Sequence, residues 1–102
     1  MEQYLFVYYG GKMATTPAEQ KKSMADWMNW FQKQSKSVIE SGNPTMPEKL
    51  VGKNGVKVIT GKKVTGYSVF KAENLDAAIA IAKTSPQMDG GEIAVYHINP
   101  VM

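Results

Sequence analysis

No cysteine and no arginine occur among the 102 residues. The first absence excludes disulfides, a thiolate nucleophile and thiolate metal sites. The second removes the planar fork that reads phosphates and guanine edges two bonds at a time. All twelve basic residues are lysine, and they alone produce the net charge of +3. They are dispersed along the chain, with Lys21-Lys22 and Lys62-Lys63 as adjacent pairs, and read as a solvated surface. Histidine is nearly absent too. His97 stands alone, and a lone histidine cannot anchor an ordinary zinc site without carboxylate help. The stretch from Gly61 to Gly66 imitates a phosphate loop, but Tyr67 stands where that loop needs lysine. Apolar runs are short: the longest is about six residues, where a membrane helix needs ~20. Only Met1-Glu2-Gln3 precede the first apolar run, which leaves no room for a signal peptide. The expectations are no metal, no cofactor, no nucleic-acid partner, no membrane, and a cytoplasmic setting. At 43% hydrophobic residues, the chain carries enough apolar material for one core, so a single domain is expected over 1–102.

The most informative feature present is the run Tyr4-Leu5-Phe6-Val7-Tyr8-Tyr9. A strand with one wet face alternates apolar and polar residues; this one does not, so both of its faces should be buried. It stops at Gly10-Gly11. Thr16 then offers an N-cap, Pro17 suits the first helical position and Glu19 completes a capping box. The spacing predicts a helix from Pro17 to about Glu40, with Met24, Trp27, Met28, Trp30, Phe31, Val38 and Ile39 in its apolar stripe and Ser41-Gly42-Asn43-Pro44 as its terminator. A short strand is expected at Lys49–Val51, a turn at Lys53-Asn54-Gly55, and strands at Val56–Thr60 and Thr65–Ala72. Asn74 should cap a second helix, Leu75–Lys83. Asp89-Gly90-Gly91 should turn the chain into a last strand, Glu92–Asn99.

The order β-α-β-β-α-β is the ferredoxin-like plan: an α+β fold with two helices on one face of an antiparallel sheet. The last strand is mostly apolar on both faces, like the first. Two helices cover one sheet face; the other would expose more apolar surface than soluble monomers tolerate. Two-fold packing of two such sheets hides it, so a homodimer is expected.

With these elements placed, the chain resembles the YCII-related (DGPF-type) domain proteins of the dimeric α+β barrel group. The resembling segments begin with Tyr4 to Gly11, Met24 to Phe31 and Ser41 to Pro44. They continue with Thr65 to Val69, Asn74 to Ile79 and Gly90 to Ile93. The resemblance implies a barrel made by two sheets, with one cleft per subunit. In some relatives a histidine–aspartate pair in that cleft suggests catalysis. The Asp-Gly-Pro-Phe motif is replaced here by Asp89-Gly90-Gly91, and no histidine follows the first strand.

A small-molecule ligand in a cleft between the first helix and the sheet is therefore the leading expectation. Acid–base chemistry of a lyase or hydrolase type would fall to His97, the natural proton carrier near neutral pH, and Asp26, beside the tryptophans. Candidate ligand contacts are Tyr8 and Tyr9, at the glycine turn, Trp27 and Trp30, three apart on the helix, Asn43, in the Gly-Asn-Pro turn, and Tyr67. Tyr67 and Ser68 point to opposite faces, so at most one should line a given cavity. Two other readings stand beside this one. The first is a non-catalytic dimeric accessory protein. The second is an RNA-binding module, which shares the element order but normally has a shorter first helix and arginine.

Overall fold

A computed structural model describes residues 1–99; the end of the expected domain, 100–102, lies outside the described residues. Six strands, two α-helices and one 3-10 turn follow one another: β1 (Glu2–Gly10), α1 (Pro17–Lys33), β2 (Val38–Glu40), β3 (Lys49–Gly52), β4 (Gly55–Val58), β5 (Val64–Ala72), α2 (Leu75–Lys83), the turn Pro86–Met88, and β6 (Gly91–His97). Four strands form one antiparallel sheet in the order β2-β5-β1-β6. This is the expected ferredoxin-like α+β arrangement. Its long apolar strands, β1 and β5, lie in the middle, where both edges of each are paired.

The helix caps form as their residues require. Thr16 Oγ1 accepts from the Glu19 backbone N–H at 3.1 Å, and Asn74 Oδ1 accepts from that of Ala77 at 2.9 Å. Each bond satisfies one of the donors that a helix start leaves open. The first helix, however, ends at Lys33, earlier than the periodicity predicts. Residues 34–37 turn, with the Ser37 N–H bonded to the Gln34 carbonyl at 2.8 Å. Val38 to Glu40 then become the second strand of the sheet. β-branched Val38 and Ile39 suit either pattern by spacing. Pairing with β5, Val38 opposite Phe70, decides for the strand.

That change displaces the segment expected to fill the sheet. β3 and β4 form a separate two-stranded hairpin, with Val51 opposite Val56. Leu50, Val51, Val56 and Val58 on it remain exposed.

The core lies between the helices and one face of the sheet. Tyr4, Phe6 and Tyr8 of β1 and Phe70 and Ala72 of β5 meet Trp30 of α1 and Ala78 and Ala82 of α2. Phe6 and Phe70 are fully buried and stacked, with centroids 4.6 Å apart. Trp30 leans on Phe70 at 5.2 Å and donates its indole N–H to Thr84 Oγ1 at 2.8 Å. The opposite face carries Leu5, Val7, Tyr9, Val69 and Ala94, all only half-buried, with Ile39 and Tyr96 exposed. The chain measures 44 × 43 × 18 Å; the short dimension accommodates one sheet and one helix layer, which pack about 10 Å apart. Nothing within the described residues covers the second face. Among them, no helix is long and apolar enough to cross a membrane.

Candidate functional site

A cleft of ≈ 460 Å³ opens between α1 and the end of the sheet where β1 and β5 meet the segment Ser41–Pro44. Its apolar wall follows from helical spacing: Met24, Trp27, Met28 and Phe31 stand at i, i+3, i+4 and i+7 and share one face of α1. Trp27 tilts over the Tyr8 ring at 5.2 Å and meets Trp30 edge-on at 5.7 Å. Met24 and Met28 are 66% and 68% exposed, so their side chains are open to an incoming molecule.

The sheet side is held by buried hydrogen bonds. Tyr8 Oη donates to Ser68 Oγ at 2.7 Å, and Ser68 Oγ donates to the Ser41 carbonyl at 2.7 Å. This relay ties β1, β5 and the chain after β2 together beneath the cleft. Burial pushes the Tyr8 phenol up to about 12, against a smaller opposing effect of the Ser68 bond. Tyr8 is therefore a neutral hydroxyl at physiological pH.

Gly42 brings the outer lip close. Its φ of 78° lies in the left-handed region, and a Cβ there would collide with the Tyr67 carbonyl oxygen. Glycine alone permits this approach. It places Asn43 so that Nδ2 donates to Tyr67 Oη at 3.3 Å. By register Tyr67 belongs to the face opposite Ser68, yet it lines the cleft at the end of the sheet, whereas Ser68 lies sealed beneath it.

A second cleft of ≈ 390 Å³ adjoins the first and shares Ser23, Trp27, Thr65 and Gln87 with it. This one is charged: Lys12, Glu19, Lys22, Asp26 and Asp89 line it around the Gly10-Gly11 turn. Among the described residues, no charged one lines the first. Together they form one groove along α1 with a neutral aromatic end and an ionic end.

The structure brings Tyr8, Trp27, Asn43 and Tyr67 together at the aromatic end. It places the other candidates elsewhere. Trp30 sits in the core beneath the helix. Tyr9 turns to the open sheet face and lines neither cleft; burial and neighbouring Tyr96 hold its phenol above the usual value, against Lys62. Asp26 lines the ionic end, paired with Lys22 at 2.9 Å on the helix surface. His97 lies opposite Tyr4, four residues along β1 from Tyr8 and hence about 13 Å away along the strand. Its ring is 5.2 Å from that of Tyr4, and its Nε2 is 3.8 Å from Glu2. His97 and Asp26 are thus not brought together at either cleft. Sequence reasoning missed Gln87, Ser23 and Thr65. A glutamine after a proline carries no sequence signal of a site. Among the described residues, no three histidine, aspartate or glutamate side chains cluster as metal ligands.

No family model matches the chain, and no curated protein matches it. Among solved structures, the chain is similar to 5-chloro-2-hydroxyhydroquinone dehydrochlorinase from Burkholderia phenoliruptrix AC1100, in complex with 2,5-dihydroxybenzoquinone. The TM-score is 0.55 and the identity 12%, over 93% of each chain. At that identity the likeness establishes the fold, an α+β barrel type of chain.

Proposed function

We propose that this protein binds a small planar organic molecule at the neutral, aromatic end of the groove, and that it does so as a homodimer of the YCII-related kind. One observation carries the first part. A ≈ 460 Å³ cleft has rings on its wall, two exposed methionines at its mouth and, among the described residues, no charged side chain in its lining. Ligand sites have this balance of apolar wall and few placed polar groups. Tyr67, Asn43 and Thr65 supply neutral hydrogen-bonding groups around the rings. A protein of the same fold in complex with a dihydroxybenzoquinone supports the choice of a ring ligand. The half-buried apolar face of the sheet supports the dimer, and the segment order from Tyr4 to Ile93 supports the family.

His97 stands away from the cleft, which leaves binding as the reading the groove supports best. A proton-transfer step of the lyase or hydrolase type would draw on Asp26 at the ionic end. Calorimetric titration with hydroquinone, and with 2,5-dihydroxybenzoquinone, tests the binding. Saturable binding is expected, weakened about tenfold by Trp27→Leu, which removes the ring face. Heat that never saturates up to millimolar probe, or affinity indifferent to Trp27→Leu, would overturn the reading.

A further inference from the structure

Where the neutral and ionic ends of the groove meet, Gln87 lines both. It sits on the Pro86–Met88 turn, held by bonds from Met88 N–H to the Ser85 carbonyl (3.2 Å) and from Asp89 N–H to the Pro86 carbonyl (3.1 Å). The residue is only 6% exposed. Its Nε2 donates to the Tyr9 carbonyl at 2.9 Å and to the Gly10 carbonyl at 3.0 Å. Those two acceptors fix the orientation of the amide. Turned over, Oε1 would face two carbonyl oxygens with no proton between them.

Oε1 must therefore lie on the other side of the amide, where no group among the described residues donates to it. It is not sealed either. Among the described residues, Ser85 Oγ is the only side-chain oxygen or nitrogen both sealed and without a partner. Gln87 Oε1 is thus not sealed, and Gln87 lines the groove. Two glycines leave it room. A Cβ at Gly91 would collide with Nε2, and one at Gly11 would lie 3.3 Å from Oε1 itself. A rigid acceptor, nine-tenths buried and lacking a donor, is a group that a ligand can satisfy.

We propose that Gln87 Oε1 determines which ring the groove accepts, by taking a hydrogen bond from a hydroxyl or N–H on the ring edge. This inference rests on the binding reading above and narrows it. The ligand class is a planar ring bearing a donor, as in phenols and hydroquinones, rather than a ring bearing acceptors alone. A ring without a donor leaves Oε1 stripped of water and unpaired, which costs affinity.

The test compares hydroquinone with 1,4-dimethoxybenzene, which has the same ring but no donor, on the intact protein by calorimetry. The wild-type chain should favour hydroquinone, and Gln87→Met should shift that preference toward dimethoxybenzene by about tenfold. Circular dichroism checks that the variant folds. Equal weakening of both ligands would mean that Gln87 only braces the turn, and would overturn the proposal. A second measurement needs no variant. The Gln87 side-chain carbonyl carbon resonance should move with saturating hydroquinone and stay in place with dimethoxybenzene; the same movement with both overturns the proposal. If neither compound binds the wild-type chain, the cleft reading itself fails and this one with it. If both bind without preference, only this one fails.

Discussion

Tyr4, Phe6 and Tyr8 come from the same strand as Leu5, Val7 and Tyr9, and the two sets are equally apolar. The first set is 4%, 0% and 6% exposed, whereas the second stays half-buried. Composition does not separate them; the supply of covering elements does. Two helices, 17 and 9 residues long, are enough for one face of a four-stranded sheet. The first face is completed inside the chain, down to the bond between Tyr8 and Ser68. The second is left half-buried. One strand thus presents two faces of different burial, distinguished only by parity along the strand.

The difference between the faces is open to measurement. The largest effect is expected at the centre of the covered face. Phe6→Ala removes a fully buried ring stacked on Phe70 and should lower unfolding stability by about 3–5 kcal/mol in urea denaturation. A loss below about 1 kcal/mol would mean that this face is not the core.

Tyr8 comes next, and its contribution depends on pH. Its phenol ionises near the ordinary value of 10.0 in the unfolded chain and at about 12 in the fold. Between these values the folded state binds more protons, so stability falls as pH rises. The full contribution is present below pH 10, and on the order of 2 kcal/mol is lost by pH 12. Tyr8→Phe removes that slope, so the stability difference between wild type and variant should change across this window and stay flat between pH 7 and 9. A difference that does not change up to pH 12 would remove the buried-phenol account.

The open face should respond least in folding and most in assembly. Val7→Lys adds a charge to half-buried surface without touching the helix side. Circular dichroism should stay unchanged, while the mass by sedimentation should fall from two chains to one. A wild-type protein that already sediments as a monomer at micromolar concentration would break the comparison, because the second face would then be uncovered by design.

Much of this was legible from residue patterns. The Thr16 and Asn74 caps, the bounds of the second helix and the Lys53-Asn54-Gly55 turn all follow from local chemistry. The segment after Lys33 did not. Val38 and Ile39 extend a helical stripe as well as they form a strand, and only the distant partner Phe70 separates the two. The hairpin Lys49–Val58 was legible as a hairpin, but not as one standing apart from the sheet. At the site, Tyr8, Trp27, Asn43 and Tyr67 were marked by residue type and found at one cleft. Gln87 was not, because its meaning depends on two carbonyls 77 and 78 residues away in the chain.

The sequence by itself determined what is periodic and local: which residues alternate, where helices start, and that β1 has two apolar faces. The tertiary structure decided what depends on distant partners. It selected which of those faces the helices take, ended α1 early in favour of a strand, and locked the Gln87 amide against the Tyr9 and Gly10 carbonyls. Periodicity needs only neighbours a few residues apart, and any sequence displays it. The orientation of an amide or the covering of a face depends on groups that only folding brings within hydrogen-bond reach.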